Sequence, residues 1–386
     1  MREIDIINET RKKLKKSINC CNKVKGIIIY MKIKRISLSV LAIVLVIAFA
    51  AGCGGGSTQQ GSAPQGGGGD TGIGPPVHFK LGHSLPDQDY RGMGANYFAE
   101  KVEELSGGNM TVTVFPSETL TTAQNMIQLV SSGAAEIGTG TLSFAASVAP
   151  DLGVLDIPGT YDPRYFRETY EQIRDIIDEI LEPHGVKMLI MYDESDSVFY
   201  INKAKATRVQ SPADIADLRI RDHGLWIGRT ISAWGSNPMT VVPGELAVAL
   251  ERGTVDGGYT GWGIVNAFRL YELTPIITFG NMSKSAWSPA TINLDLWNSL
   301  TQAQRDVLTE ASRLTEVYTD EILADAFETF SQNVKDAGGE FYEMTPAETA
   351  EFIRLAEPVI DQFRSEANEI GLRLLEKMLE VKASFG

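Results

Sequence analysis

A regular alternation of strand-like and helix-like segments begins near residue 77 and constrains the fold more than any other feature of the sequence. Residues 77–83 alternate apolar and polar side chains as a strand does, and residues 90–105 repeat apolar side chains at helical spacing. Residues 110–115, 122–132 and 136–141 continue as strand, helix and strand. Because the connections are short, this pattern predicts an α/β fold with mostly parallel strands.

The alternation continues through most of the chain, which at 386 residues is long enough for two domains. Further strands are predicted at 186–192, 198–202, 218–221, 253–259, 276–279 and 290–294, and further helices at 165–182, 226–234 and 243–251. A helix from residue 301 to residue 334 is the longest predicted element. A last helix covers residues 346–381, and Pro358 is the residue at which it would break.

The N-terminal part of the chain has the pattern of a secretory signal. Residues 31–35 are basic, and residues 36–51 are almost uninterrupted apolar sequence. The run Ala50-Ala51-Gly52-Cys53 resembles a bacterial lipobox, which predicts that Cys53 is lipidated. An ordinary signal peptide followed by an incidental cysteine is the alternative. We therefore expect an extracytoplasmic protein that is anchored to the membrane at Cys53.

These features divide the chain into three predicted regions. Residues 1–52 are predicted to be an upstream extension, up to residue 30, followed by the signal peptide. Residues 53–76 are predicted to be the lipidated cysteine and a flexible tether of Gly, Ser, Gln and Pro. Residues 77–386 remain as the folded region.

Charge and cysteine content limit what the folded region can do. Cys20, Cys21 and Cys53 are the three cysteines of the chain, so the folded region has neither a disulfide nor a thiol nucleophile. Residues 1–52 carry eleven Lys/Arg and three Asp/Glu, a net charge of +8, while the whole chain carries −14, which leaves about −22 for the remainder. So acidic a region is not expected to bind nucleic acid.

Motifs of the common enzyme classes are absent from the sequence. The four histidines, His78, His83, His184 and His223, have no zinc-type spacing, and there is neither a G-x-S-x-G motif nor a phosphate-binding glycine loop. We therefore predict no metal and no cofactor. An extracytoplasmic two-domain α/β protein without a catalytic signature is typical of solute-binding proteins, whose domains close on a ligand about a hinge.

The strand predicted at residues 218–221 carries the leading candidate for ligand binding. Leu218 and Ile220 alternate with Arg219 and Arg221, and a charged turn follows. Ligands of open α/β sheets bind beyond the carboxyl ends of strands, and an arginine presents a planar cationic fork that matches a carboxylate. We therefore hypothesise that Arg221 binds the carboxylate of a small ligand. The alternative is a solvent-facing arginine, unpaired or paired with a neighbouring aspartate.

The ordered set of motifs in the folded region resembles the substrate-binding proteins of tripartite ATP-independent periplasmic (TRAP) transporters. The similar runs are Leu81-Gly82-His83-Ser84-Leu85-Pro86, Val112-Thr113-Val114-Phe115-Pro116, Gly153-Val154-Leu155-Asp156-Ile157-Pro158, Leu218-Arg219-Ile220-Arg221, Gly235-Ser236-Asn237-Pro238, Gly253-Thr254-Val255-Asp256-Gly257 and Ser288-Pro289-Ala290. Each run is weak alone, but their order is specific. The resemblance implies that Arg221 is the family's carboxylate anchor.

The resemblance also implies a fold and a partner. The fold is a periplasmic-binding-protein-like α/β fold of two lobes joined by a hinge and a long bridging helix, for which residues 301–334 are the candidate. The implied first lobe is about residues 77–196 and 286–325, and the second is about 197–285 with later segments. The ligand is a small organic acid, and the partner is the membrane permease of a TRAP transporter.

The remaining candidate site residues come from strand ends and from this resemblance. They are His83, Tyr90, Asp193 and Glu194, with Tyr259 and Trp262 as rings that could stack on a ligand. Each has a structural alternative: a satisfied histidine, a solvated acidic loop, or aromatic rings that fill the core. Trp226 and Trp287 are weaker candidates.

Two features differ from the family pattern. The position at which many members carry a second pocket arginine falls near Val198, so the grip on the carboxylate rests on one arginine. The segment 258–262 is Gly-Tyr-Thr-Gly-Trp in place of an acidic–Asn–Pro run, which favours a more aromatic pocket. Two other functions compete with this interpretation: a binding protein of an ABC-type transporter, and an acid–base enzyme that uses Asp193, Glu194 and Asp196.

Overall fold

A computed structural model describes residues 72–385 of the chain. The predicted signal peptide, Cys53 and most of the predicted tether lie outside the described residues. Within residues 72–385, no helix combines the length and the apolar character that crossing a lipid bilayer requires.

Eleven strands and eleven α-helices, with short 3₁₀ turns between them, make up the described part of the chain. The strands are β1 (Val77–Gly82), β2 (Met110–Phe115), β3 (Ile137–Thr139), β4 (Val186–Tyr192), β5 (Asp196–Ile201), β6 (Arg219–Asp222), β7 (Asn237–Thr240), β8 (Gly257–Gly261), β9 (Ile276–Lys284), β10 (Ser288–Asn293) and β11 (Glu340–Glu343). The helices are α1 (Tyr90–Leu105), α2 (Met126–Ser131), α3 (Leu142–Ala145), α4 (Phe166–Leu181), α5 (Leu225–Ala233), α6 (Leu246–Glu251), α7 (Trp262–Ala267), α8 (Leu294–Ser299), α9 (Gln302–Asp336), α10 (Pro346–Glu366) and α11 (Glu369–Ser384).

The strands form two separate sheets, each the centre of one lobe. The first sheet has the order β2-β1-β3-β10-β4, and the second has the order β11-β9-β5-β8-β6-β7. β1 runs parallel to β2 and β3, and β6 runs parallel to β7 and β8, as the short strand–helix connections predict. β5 and β10 are antiparallel to both of their neighbours. This mixed α/β architecture of two sheets confirms the predicted fold class.

The chain crosses between the sheets through two short segments that lie side by side. β4 of the first sheet is followed after residues 193–195 by β5 of the second, and β9 of the second is followed after residues 285–287 by β10 of the first. The N–H of Ser285 donates to the carbonyl of Ser195 at 2.9 Å, which joins the two segments. Crossings this short restrict the directions in which the lobes can move relative to each other.

The long helix α9 contributes to the cores of both lobes. Leu308 and Ala311 pack with residues of the first sheet, whereas Phe330 and Val334 pack with residues of the second. Its start is set by a capping box in which Thr301 accepts from the N–H of Gln304 and Gln304 accepts from the N–H of Thr301. The predicted bridging helix is therefore confirmed, at residues 302–336.

The prediction of one last helix over residues 346–381, with Pro358 as its breaking point, is wrong. The chain forms two helices, and it breaks at residues 367–368, where Asn368 accepts from the N–H groups of Ile370 and Gly371 and so caps α11. Pro358 lies inside α10. The capping asparagine, and not the proline, therefore sets the boundary. α10 packs on α5 of the second lobe, and α11 packs on α4 of the first.

The lobes approach each other closely where the 3₁₀ segment Pro150–Asp156 meets α5. A β-carbon added at Gly153 would lie 1.8 Å from Cδ1 of the buried Trp226, so only glycine allows this contact. Close by, a β-carbon at Gly224 would lie 3.0 Å from the carbonyl oxygen of Ser143.

Replacing Gly153 with alanine should lower the free energy of unfolding by about 1–3 kcal/mol, because the added methyl group displaces Trp226. Gly244→Ala is the matched control, since nothing lies within 4 Å of its added β-carbon, and it should change stability by less than about 0.5 kcal/mol. Urea unfolding of both variants measures the difference. Equal stabilities would contradict the close approach at Gly153.

Candidate functional site

Arg221 is a buried cation without an anionic partner in the described part of the chain. Alternation along β6 places Ile220 in an apolar core and Arg221 on the other face, where its side chain is only 1% exposed. Its Nε donates to the carbonyl of Val241 at 2.9 Å, and its buried Nη1 has no hydrogen-bond partner among the described residues. Burial lowers the pKa of Arg221, and Tyr200 and Asp222 oppose this shift. The side chain is therefore placed to gain from an added anion.

The other arginine of the strand behaves differently. The Arg219 side chain is 44% exposed and pairs with Asp256, whose Oδ2 lies 3.0 Å from Nε and whose Oδ1 lies 2.8 Å from Nη2. The alternative considered for Arg221 was a solvent-facing arginine that pairs with an aspartate. That description fits Arg219.

A tyrosine that the sequence did not single out lies beside Arg221. In the sheet, Gly258 of β8 is level with Arg221 on one side and with Tyr200 of β5 on the other. A β-carbon at Gly258 would lie 2.1 Å from the Tyr200 hydroxyl, so the glycine makes room for the phenol. Burial raises the pKa of Tyr200 to about 12, and the hydroxyl has no partner among the described residues. In the sequence, the strand-like alternation of residues 198–202 is the one signal that could have indicated Tyr200.

The structure corrects the expectation that Tyr259 stacks on a ligand held by Arg221. Tyr259 follows Gly258 and therefore faces the opposite side of the sheet. It is fully buried between Phe199 and Trp234, and its hydroxyl lies 2.9 Å from that of Ser283. Its ring thus packs against other core rings, and its hydroxyl has a hydrogen-bond partner within the core.

Trp262 is also separated from Arg221. It is the first residue of α7 and stacks on Phe330 of the long helix, with ring centroids 5.5 Å apart. It contributes to the walls of two grooves beside α9, of about 610 and 720 Å³. The predicted aromatic surface shared with Tyr259 is absent from the described residues, because the two rings belong to different cores.

Tyr90 and Glu194 come together around an arginine that sequence reasoning missed. Oε2 of the fully buried Glu194 accepts from Nη1 of Arg91 at 2.7 Å and from the hydroxyl of Tyr90 at 3.2 Å. Arg91 Nε also donates to Asp89 Oδ1 at 2.7 Å. Burial raises the pKa of Glu194, and Arg91 opposes this shift. Apart from a charge at the start of an otherwise apolar helical face, no sequence signal marked Arg91.

Asp193 belongs to a different cluster from Glu194. Its carboxylate lies 3.3 Å from Nζ of Lys284, which is also 3.2 Å from Asp196. Burial raises the pKa of Asp193, and Lys284 opposes this shift. The three carboxylates considered for acid–base chemistry are therefore divided between two clusters and are paired with cations.

His83 lines a small cavity between the lobes. The cavity has a volume of about 40 Å³ and is lined by His83, Arg91, Tyr192 and Ser288 of the first lobe and by Pro243 and Ile264 of the second. Burial lowers the pKa of His83, and Asp87 opposes this shift. Nε2 of His83 lies 3.8 Å from Oδ1 of Asp87 and has no partner within hydrogen-bond distance among the described residues. The hydroxyl of Tyr192 is also buried and without a partner.

A second group of buried polar atoms lies where Ser143 meets the end of β6. Asp156 Oδ1, His223 Nδ1 and Trp226 Nε1 are buried and have no hydrogen-bond partners in the described range. Burial raises the pKa of Asp156 to about 7, opposed by Ser143, and burial together with Arg221 lowers the pKa of His223 to about 3. Polar atoms contributed by both lobes thus face the boundary between them.

No group of three or more His, Cys, Asp or Glu residues within positions 72–385 is arranged to hold a metal ion. What the site offers is instead one unpaired cation and several neutral hydrogen-bonding groups. Such a set can hold a polar anion between two lobes.

Comparisons with known proteins bear on the family and the fold of the chain. The family model described as bacterial extracellular solute-binding protein, family 7, matches residues 81–366. The C4-dicarboxylate-binding protein DctB of Bacillus subtilis is 23% identical over 320 residues, which are 79% of this chain and 87% of that protein.

Solved structures share the fold. The periplasmic ectoine-binding protein of the TeaABC TRAP transporter of Halomonas elongata has a TM-score of 0.74 at 20% identity and covers 80% of this chain and 99% of its own. A TRAP periplasmic solute-binding protein of Roseobacter denitrificans with bound β-D-glucuronate has a TM-score of 0.72 at 22% identity and covers 78% and 99%. The matched family and these neighbours are solute-binding proteins, not enzymes.

The difference in unfolding free energy between Asp156→Asn and the wild type should grow as the pH rises from about 4 to about 7. Because the folded state raises the pKa of Asp156 from 3.8 to about 7, the wild type loses stability across this window, by up to about 4 kcal/mol, whereas asparagine cannot ionise. His223 is present in both proteins, so its opposite pH dependence cancels in the difference.

Urea unfolding at about pH 4, 6 and 8 measures this difference. Asp361→Asn, on the surface of α10, controls for the loss of a carboxylate. A constant difference between Asp156→Asn and the wild type would show that the Asp156 carboxyl is solvated in the folded state.

Proposed function

Because this chain belongs to family 7 of the bacterial extracellular solute-binding proteins, we propose that it captures a small organic acid outside the cytoplasm and delivers it to the permease of a TRAP transporter. The match to the family model spans both sheets and the long helix. The extracytoplasmic location and the TRAP partner are properties of the family and its structural neighbours. No observation favours an ABC-type transporter or an enzyme over this function.

Arg221 is the observation that supports a carboxylate ligand. A buried guanidinium without an anion is costly, and a carboxylate that accepts from it in a water-poor site forms a strong charge-assisted hydrogen bond. Arg221 has a buried, unpartnered Nη1 at the carboxyl end of a parallel strand, which is where ligands of α/β proteins bind. The names of related proteins include a C4-dicarboxylate and a glucuronate as ligands.

The mechanism is capture by closure. We propose that the lobes, about residues 77–196 with 286–325 and about residues 197–285 with later segments, open about the paired crossing segments. A carboxylate ligand then enters and binds Arg221, and closure excludes water and forms the shape that the permease recognises. His83 and Glu194 contribute from the first lobe, with Tyr90 holding Glu194 in place. Asp193, Tyr259 and Trp262 support the lobes structurally.

Arg221→Ala should weaken ligand binding by more than about tenfold, because it leaves the bound carboxylate buried and unpaired. The ligand for this test comes from a thermal-shift screen of organic acids that includes glucuronate and succinate. Calorimetry then compares the dissociation constants of the wild type and the variant.

Arg219→Ala is the matched control for this experiment. It removes an arginine from the same strand, but at an exposed position, where it pairs with Asp256, and it should leave affinity within about threefold of the wild type. Arg221→Lys keeps the charge without the planar fork and should bind with intermediate affinity. An unchanged dissociation constant for Arg221→Ala would exclude Arg221 as the anchor.

We further propose that the protein is held at the membrane by a lipid on Cys53. The proposal is supported by the basic, apolar and small-residue pattern of residues 31–53. The Gly-rich segment that follows would let the folded region move freely above the membrane surface.

Cys53→Ser should release the full-length protein from the membrane fraction into the soluble fraction of cells, because the residue that carries the lipid is lost. Cys20→Ser and Cys21→Ser are the controls, and they should leave the protein with the membranes. Mass spectrometry of the N-terminal peptide identifies the lipid directly. A Cys53→Ser variant that stays membrane-bound would contradict the anchor.

A further inference from the structure

At the boundary between the lobes, the charge of Arg221 and that of the cluster around Arg91 are balanced differently within residues 72–385. Arg221 of the second lobe has no anionic partner in the described residues, whereas Arg91 of the first lobe is already bound by two carboxylates, those of Asp89 and Glu194. The first-lobe cluster therefore has one more negative charge than positive charges. A ligand that reaches from one lobe to the other meets a cation at one end and a net acidic cluster at the other.

Besides Arg91, the small cavity is lined by polar side chains with unused hydrogen-bonding atoms. Nε2 of His83, 3.8 Å from Asp87 Oδ1, and the hydroxyl of Tyr192 are buried without hydrogen-bond partners among the described residues, and the hydroxyl of Ser288 lies in the same wall. Its volume of about 40 Å³ is enough for a small polar group, since one water needs on the order of 10–15 Å³ of such volume. The cavity is therefore suited to a hydroxyl or an amine.

Two short segments connect this cavity to Arg221. Arg221 donates to Val241, and Pro243, two residues further on, lines the cavity. On the other lobe, Thr141 lines the cavity, and Ser143, two residues further on, touches Gly224, which follows β6. Arg221 and the cavity thus lie along the same boundary between the lobes.

The unpartnered atom at the acidic end is an acceptor. Oε1 of Glu194 is buried and accepts no hydrogen bond from the described residues. A donor on the ligand would satisfy this oxygen, whereas a carboxylate would face like charge with no free cation to compensate for it. The chemistry of the two ends of the site is therefore different.

We propose that this protein selects monocarboxylates whose far end carries an O–H or N–H donor and rejects dicarboxylates. The inference rests on the proposed function, since it assigns the carboxylate of the ligand to Arg221 and the donor to the cavity lined by His83 and Tyr192. It goes further by stating which class of organic acid fits.

Matched pairs of ligands test the selectivity by calorimetry on the full folded region. Gluconate and glucarate differ only in whether carbon 6 is an alcohol or a carboxylate. 4-Hydroxybutyrate, 4-aminobutyrate and succinate make the same comparison on a four-carbon chain. In at least one series the monocarboxylate should bind at least about tenfold more tightly than its dicarboxylate. Tighter binding of 4-hydroxybutyrate identifies a hydroxyl donor, and tighter binding of 4-aminobutyrate identifies an ammonium donor.

Glu194→Gln tests the cause of the selectivity. It removes the charge of one of the two carboxylates that bind Arg91, and it should reduce the preference for the monocarboxylate by at least about fivefold. If this buried variant does not fold, Asp89→Asn makes the same change of charge at the other side of Arg91. Glu310→Gln, a surface carboxylate paired with Arg313, is the control and should keep the preference of the wild type.

The outcomes separate this inference from the function on which it rests. Dicarboxylates that bind as tightly as their monocarboxylate partners, with affinity still lost in Arg221→Ala, overturn the selectivity and leave the proposed function standing. Failure of every carboxylate in the two series and in the organic-acid screen overturns both. A preference that is unchanged in both Glu194→Gln and Asp89→Asn also overturns the inference, because the acidic cluster would then not be its source.

Discussion

The site depends on one constraint, the burial of the Arg221 guanidinium without an anion among the described residues. A cation in so dry a position is costly, and hydrogen bonds from the surrounding protein and an added anion both reduce that cost. The carbonyl of Val241 holds Nε, and the glycine at position 258 leaves room for Tyr200 beside the guanidinium. The described protein supplies no anion to Nη1. The proposed affinity of the site for a carboxylate follows from this one strong donor, which the described protein leaves unsatisfied.

The two-lobed architecture gives this donor its function. The paired crossing segments and the long helix keep the lobes in contact, so a ligand bound at the boundary touches both. The lobes contribute different chemistry, because the second lobe presents the free cation and the first presents acceptors and neutral polar groups around Arg91. The close approach at Gly153 and Trp226 shows how little space the boundary allows for a poorly fitting ligand. Specificity for a ligand can therefore arise from contacts that both lobes make in the closed state, and not from one lobe alone.

Sequence reasoning was most successful where a single element carried the information. It predicted the long helix and most of the strands, because helical spacing and alternation are local signals. It misplaced the break after Glu366, where the capping role of Asn368 outweighs the presence of Pro358. It also grouped Tyr259 and Trp262 with Arg221, because both rings follow a motif at the end of a strand. Successive side chains of a strand point to opposite faces, so residues that are neighbours along the chain can lie in different cores, as these two rings do.

The sequence by itself determined the α/β class, the acidic charge of the folded region and the arginine at the end of β6, since each depends on residue type and local pattern. Only the tertiary structure decided that Arg221 lacks an anionic partner among the described residues while Arg219 has one, and that Arg91 binds two carboxylates. Whether a charge is free or neutralised depends on residues far away in the chain, as Arg91 and Glu194 show with more than one hundred residues between them. Tertiary packing brings such groups together. It therefore determines whether an ionised side chain pairs within the protein or stays available to a ligand.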